Sequence, residues 1–232
     1  MKTLHAPVDA PRVEVRACLS GGISTGAVYQ MVARALRVVR PAGGTLLDVG
    51  CGVGRFWPTA RAQFDRYIGC DVIRYEGFPA DAEFVQAELN TNQVPLPSGF
   101  ADVVTAVETI EHLENPRAFA RELVRLVKPG GWVVITTPNN LSILSKLTLV
   151  VKNQFNAFQD SSYPAHITAL LERDLKRIAA ECGLVDLRTA FSLRGRLPGT
   201  AWHFPRWACR CLPRALSDNI LIMGHRPAKR LP

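Results

Sequence analysis

Near the middle of the chain, Val107-Glu108-Thr109-Ile110-Glu111-His112-Leu113 sets two carboxylates and an imidazole at short spacing. Glu108, Glu111 and His112 stand at i, i+3 and i+4, so a helical turn puts all three on one face. An imidazole beside carboxylates can take a proton from a hydroxyl near neutral pH and hold the resulting charge. A second constellation lies upstream, in Thr45-Leu46-Leu47-Asp48-Val49-Gly50-Cys51-Gly52-Val53-Gly54. An apolar run of strand length ends there in an acid, and glycine then fills every second position. Main chain without Cβ lets a bound molecule lie against it and allows backbone angles closed to other residues. Downstream, Arg66-Tyr67-Ile68-Gly69-Cys70-Asp71 is another strand-like stretch ending in an acid. The spacing fits strand, turn, helix, strand, which sets Asp71 beside the glycine turn, where a carboxylate can hydrogen-bond a ribose diol.

The elements that must hold these groups read as an α/β alternation. Residues 1–22 look like an irregular arm ending at Gly21-Gly22. Ser24 or Thr25 then caps a helix to about Arg40, with Val28, Met31, Val32, Ala35, Leu36 and Val39 on one face. Pro41-Ala42-Gly43-Gly44 breaks the chain before strand one. Residues 55–64 form a helix with Pro58 in its first turn. Glu83–Leu89 and Ala101–Val107 are strands three and four. Asn115 caps a helix that opens on Pro116 and buries Phe119, Leu123, Leu126 and Val127; it stops at Lys128-Pro129-Gly130-Gly131. Trp132–Pro138 is strand five, and a helix over about Leu170–Cys182 ends at Gly183. Leu184–Ser192 and Asn219–His225 are strands six and seven, the latter an antiparallel edge.

The 232 residues suit one domain with a full core, and a hydrophobic share of 47% argues against disorder. No apolar run reaches the ~18 residues that cross a bilayer. Met1–Arg16 lacks the apolar core of a signal peptide, so the expected location is cytoplasmic. Six cysteines without a Cys-x-x-Cys pair read as reduced thiols, and Cys209-x-Cys211 lacks zinc-knuckle spacing. The charge is concentrated: residues 191–232 carry eight basic residues against Asp218 alone, in a chain of net charge +8.

Asp48-Val49-Gly50-Cys51-Gly52-Val53-Gly54 followed by Asp71 resembles the first motif and the ribose-binding acid of the class I S-adenosylmethionine (SAM)-dependent methyltransferases. The likeness continues through Asp102-Val103-Val104, Leu126-Val127-Lys128-Pro129-Gly130-Gly131 and Thr137-Pro138-Asn139. It covers 45–140 well and runs more faintly to 191. A nicotinamide site would more usually show Gly-x-Gly-x-x-Gly without an acid two residues ahead. The resemblance implies a doubly wound, seven-stranded, mostly parallel sheet, Rossmann-like, with an antiparallel edge strand. Over 1–232 it implies a single methyltransferase domain: an arm and cover helix (1–44), a SAM-binding core (45–140) and two substrate-side insertions (140–168 and 193–218). SAM would lie over the carboxyl ends of strands one and two, among Asp48, Gly50, Cys51, Gly52, Gly54, Asp71, Val72 and Val107. Glu88 matches the family's acid near the adenine amino group, and the Leu89 amide the one that holds the ring. Tyr29, on the cover helix, either lies near the cofactor or packs in the core.

The Glu108-x-x-Glu111-His112 pattern is similar to that of ubiquinone-pathway O-methyltransferases and small-RNA 2′-O-methyltransferases. By the second likeness Glu108, Glu111, His112 and a distant histidine hold a divalent ion, magnesium or manganese, that directs the acceptor hydroxyl. His166, in Tyr163-Pro164-Ala165-His166, matches that histidine. The alternative is a metal-free site in which His112 acts alone as base or caps the next helix. The candidate catalytic residues are His112, Glu111 and His166. Methyl transfer is an in-line displacement, so the protein must mainly align the acceptor and take its proton.

Trp202, His203, Phe204 and Trp207 interleave with Arg194, Arg196, Arg206, Arg210 and Arg214. Such a segment can grip phosphates, stack on bases or sugars, or lie in a membrane interface; otherwise it is core aromatics with a solvated basic rim. Leu141–Val151 is too short to span a bilayer and could form an amphipathic lid. The expected activity is O-methylation of a small aromatic, sugar or lipid-linked acceptor, with residues 194–214 touching the anionic inner membrane face. The alternatives are RNA 2′-O-methylation, and a SAM-fold adaptor that binds without turnover.

Overall fold

The computed structural model describes residues 13–39, 43–90 and 93–228. The expectations for residues 1–12, Arg40, Pro41 and Ala42, and the basic Lys229 and Arg230, lie outside the described residues. Two helices lead, α1 (Val13–Ser20) and α2 (Gly26–Val39), followed by β1 (Thr45–Val49), a single turn α3 (Trp57–Ala60) and β2 (Arg66–Asp71). Then come β3 (Glu83–Gln86), β4 (Ala101–Ala106), α4 (Pro116–Leu126), β5 (Val127–Pro138), α5 (Ile143–Lys152), α6 (Glu172–Glu181), β6 (Val185–Phe191), α7 (Arg206–Cys211) and β7 (Asn219–His225).

The strands form one sheet in the order β3-β2-β1-β4-β5-β7-β6. The first five are parallel, and β7 runs antiparallel to both β5 and β6. The reversed strand therefore sits one place in from the rim, and β6 is outermost. Alternate side chains of each strand feed two cores, as a sheet covered on both faces requires. Leu47, Val104, Val133 and Ile135 face α4 and α6, whereas Leu46, Val103 and Val134 face α2 and α3. The strand order reverses between β1 and β4, and the carboxyl ends flanking such a switch leave a crevice for ligands.

Local signals explain most boundaries. The Asn115 side chain accepts from the Ala118 amide and Pro116 opens α4, as its sequence dictates. Gly183, at φ +87°, ends α6 in the left-handed conformation glycine adopts without penalty. Four segments depart from expectation, the first being β5, which starts at Val127 rather than Trp132. Residues 13–20 are helical rather than an irregular arm. The helix expected over 55–64 is one α turn and a 3₁₀ turn, Arg61–Gln63. Its end is tied to the start of β1, the Gln63 carbonyl accepting from Gly43 N (2.8 Å) and the Asp65 carboxylate from Gly44 N (2.7 Å). Finally, β3 stops at Gln86, so Glu88 and Leu89 lie on loop.

Candidate active site

The crevice is a cavity of about 300 Å³ at the carboxyl ends of β1, β2 and β4. Its floor is the turn after β1. Gly50 and Gly52 have φ of +77° and +53°, and a Cβ on Gly52 would overlap the Gly22 carbonyl oxygen. Residue 22 thus lies directly on the turn, its carbonyl accepting from Val53 N at 3.1 Å. The Asp71 carboxylate, at the end of β2, accepts from Gly52 N (2.9 Å) and Val72 N (2.7 Å). These amides, with that of Ile73, fix it at the cavity wall, and the carboxylate keeps acceptor capacity for a ligand. Asp48 lies beneath, fully buried, accepting from the Thr105 hydroxyl (2.8 Å) and the Tyr67 hydroxyl (2.9 Å).

At the far wall, beyond β4, Ile110–His112 forms a 3₁₀ turn. The Glu111 carbonyl accepts from the Ile167 and Thr168 amides (2.9 and 3.0 Å), and the Thr168 hydroxyl donates to the Leu113 carbonyl (2.6 Å). These bonds lash the 165–168 segment to the turn and bring His166 against His112. The Nδ1 of His112 lies 2.8 Å from the Ala165 carbonyl, and that of His166 lies 2.7 Å from the Ala157 carbonyl. A carbonyl only accepts, so each neutral ring carries its proton on Nδ1 and its lone pair on Nε2. One ligand atom from each of Glu111, His112 and His166 lies within 4.8 Å of the others. Glu111 is fully buried; its Oε2 accepts from the Thr137 hydroxyl at 3.1 Å, while Oε1 has no hydrogen-bond partner among the described residues.

Burial governs the electrostatics. It raises Asp48 to about 6 and Glu108 to about 7, against the hydrogen bonds each accepts. Glu111 rises well above the usual carboxylate range, through burial first and the charge of Glu108 second. Burial also raises Asp71, opposed by the Gly52, Val72 and Ile73 amides, and lowers His166. A buried acid beside two Nε2 lone pairs stabilises an added positive charge, whether a proton or a cation.

Asp48, Gly50, Cys51, Gly52, Asp71, Val72, Glu88, Leu89 and Val107 all line this cavity, as do Glu108, Glu111, His112 and His166. Gly54 does not; it packs on Pro79 and Phe78 behind the turn. Glu108 lies apart from the three-residue cluster. Its backbone is left-handed, at φ +52°, and its carboxylate accepts from the Thr136 hydroxyl (2.8 Å) and the Asn219 amide (2.7 Å). Tyr29 lines the cavity as well as stacking on Phe56. The roof comes from the 1–44 region expected to cover the cofactor, with α1 and the turn after it joining Tyr29 of α2. Ala17 and Ser20 of α1, with Gly22, Ser24 and Thr25, close the cavity, and the Tyr75 hydroxyl donates to the Ala17 carbonyl at 2.7 Å. No residue of α5 is among the lining.

The profile of a family described as a methyltransferase domain matches residues 26–189. A ubiquinone biosynthesis O-methyltransferase of Thiobacillus denitrificans is 31% identical over 154 residues, 62% of this chain and 65% of that protein. A probable S-adenosylmethionine-dependent methyltransferase of Mycolicibacterium smegmatis is 31% identical over 118 residues, 50% and 44% of the two chains. A tRNA (carboxymethyluridine(34)-5-O)-methyltransferase of Arabidopsis thaliana is 37% identical over 117 residues, 47% of this chain and 28% of that one. The chain thus spans about half the length of the curated relatives it matches. Among solved structures, a SAM-dependent methyltransferase from Archaeoglobus fulgidus superposes with a TM-score of 0.59 at 18% identity, covering 85% of this chain and 94% of that one. The 1,6-didemethyltoxoflavin-N1-methyltransferase of Burkholderia thailandensis, solved with S-adenosylhomocysteine, gives 0.60 at 13% identity, covering 97% and 93%. At these identities the structures show a shared fold.

Proposed function

The chain belongs to the methyltransferase-domain family, and from that premise we propose that it transfers a methyl group from SAM to a hydroxyl of a small aromatic, sugar or lipid-linked acceptor. The residues present fit the cofactor. Gly50 and Gly52 offer bare main chain, Asp71 is pinned with lone pairs to spare, and the cavity has small-molecule size. When bound, SAM supplies an electrophilic methyl on a cationic sulfur. The chain's own work is alignment and proton transfer. His112 Nε2 takes the acceptor's proton while the Ala165 carbonyl holds the ring by Nδ1–H. Glu111, beside it, stabilises the imidazolium that results. The α1 roof limits water access, which strengthens these interactions.

Glu111, His112 and His166 also fit a divalent ion. The partnerless Glu111 Oε1 and two Nε2 atoms form an oxygen and nitrogen set that suits magnesium, manganese or iron. Such an ion would lower the pKa of an acceptor hydroxyl. Glu108 would join only by leaving Thr136 and Asn219.

The observation that carries the proposal is one shared cavity, with the glycine turn and Asp71 at one wall and Glu111, His112 and His166 at the other. Relatives named ubiquinone biosynthesis O-methyltransferases support a hydroxyl acceptor. The tRNA-methyltransferase relative favours a second reading, an RNA acceptor. Methyl-labelled SAM incubated with catechols, prenylated phenols, sugars and tRNA separates the two. Label on a small hydroxyl acceptor, lost in His112→Ala, supports the first reading, and label on tRNA alone replaces it with the second. Absence of calorimetric SAM binding would overturn both and leave an adaptor.

A further inference from the structure

Trp202 and Trp207 are 77% and 71% exposed, an unusual position for two of the chain's four tryptophans. They project from an anchored base. Arg196 and His203 form an antiparallel bridge, and the Sγ of fully buried Cys209 donates to the Leu216 carbonyl at 3.0 Å. Beside the tryptophans, Leu212 is exposed, and Arg206 and Arg210 lie one turn apart on α7. Arg34 of α2 stands near enough to feel the charges of Arg206, Arg37 and Arg210. Among the described residues none of these four arginines is paired with a carboxylate. Unpaired like charges so close repel one another, and the repulsion is relieved by an external anion.

The apolar part of the face extends onto α5. Its Ile143 amide donates to the Ala215 carbonyl at 2.8 Å, and Leu147, Val150 and Val151 point to solvent. Both segments leave the carboxyl edge of the sheet, α5 after β5 and the 193–218 segment after β6, which is the edge holding the cavity. Among the described residues no helix is long and apolar enough to cross a membrane, so this face would meet a bilayer at its surface. Exposed leucine and valine contribute little to gripping nucleic acid, whereas tryptophan at the headgroup level, aliphatics below it and arginine on phosphates are what an anionic lipid surface rewards.

We propose that Trp202, Trp207, Leu212 and the outer face of α5, with Arg34, Arg37, Arg206 and Arg210, dock the protein on a bilayer surface containing anionic phospholipid. The proposal goes beyond the methyltransferase reading and does not rest on it. Sedimentation of the full chain with vesicles of phosphatidylcholine, alone or mixed with phosphatidylglycerol, tests it. Pelleting should require phosphatidylglycerol, and Arg206→Ala with Arg210→Ala should weaken it about fivefold for each arginine. Brominated lipid should quench the unmodified protein's tryptophan emission, a readout that needs no variant. Trp202→Phe with Trp207→Phe should remove that quenching. Lack of phosphatidylglycerol-dependent pelleting, quenching unchanged in the double Phe variant, or capture by polyuridylate but not vesicles would overturn the proposal. Loss of pelleting in inorganic phosphate alone, at ionic strength matched with chloride, would assign the arginines to free phosphate and overturn it too.

Discussion

His112 and His166 meet edge to face, their ring centroids 4.8 Å apart at an interplanar angle of 77°. Each is held by a backbone carbonyl on Nδ1, and a ligand atom of each lies within 4.8 Å of one from the buried Glu111 carboxyl. The pair stands beyond β4, on the 3₁₀ turn and the segment lashed to it, whereas the glycine turn follows β1. Alanine at either histidine should therefore lower turnover by about 10² to 10⁴, the usual worth of a positioned acid or base. SAM affinity should stay within about threefold, a change of less than 1 kcal/mol. Single-turnover assays with calorimetric SAM titration check this; equal losses in both measurements would contradict it. If the cluster works through a divalent ion, chelation should reproduce the His166→Ala rate in the unmodified protein and leave the variant unchanged.

Asp71 should show the opposite split. Its carboxylate is seated by main-chain amides and lines the cavity, so Asp71→Asn keeps the shape and removes a charged acceptor. A hydrogen bond to a charged group is worth about 1.5–3 kcal/mol, which predicts SAM binding weaker by about 10- to 100-fold. The rate at saturating SAM should change little. Unaltered SAM affinity would remove the ribose-binding role.

Gly52→Ala should be among the most damaging small substitutions in the chain. The new Cβ would collide with the main chain of Gly22, which cannot swing aside as a side chain can. A left-handed backbone at a non-glycine residue adds about 1–2 kcal/mol. Gly50→Ala carries the same backbone cost, but its Cβ would meet the Thr109 methyl and hydroxyl, so truncating that side chain with Thr109→Ala should restore part of the loss. Urea unfolding of the three variants measures the difference. Equal destabilisation at positions 50 and 52, with no rescue, would contradict the packing described.

What the sequence disclosed follows the range of the interactions involved. The Asn115-Pro116 start of α4, the strands of β1 and β2 and the glycine turn depend on neighbours a few residues away, and all were legible. The site was half legible. Glu111 and His112 are adjacent, and a family likeness supplied His166. The role of Glu108 was hidden because Asn219, which takes its carboxylate, comes from β7 at the other end of the chain. The same distance concealed the place of β7 between β5 and β6, which pairing across the sheet decides. Helix α1 was missed because it covers a cavity, which imprints no apolar stripe as a sheet does, and α3 was overestimated because its end is drawn back toward Gly43 and Gly44.

The buried acid beneath the turn gives a pH prediction. Burial lifts Asp48 to about 6 from an ordinary 3.8, so the folded protein binds a proton there that the unfolded chain has already released. A raised carboxyl favours folding fully below its unfolded pKa, and that contribution is lost as pH rises through the folded value. Relative to Asp48→Asn, whose amide does not titrate, the unmodified protein should therefore gain stability as pH falls from about 7 to about 4, by about 3 kcal/mol in all. The titrations of Glu108 and Glu111 occur in both proteins and cancel in the difference. Urea unfolding of the pair across this range checks it; parallel stability curves would mean that Asp48 titrates alike in the folded and unfolded states, and a difference growing in the other direction that it stays ionised in the folded state at the acid end.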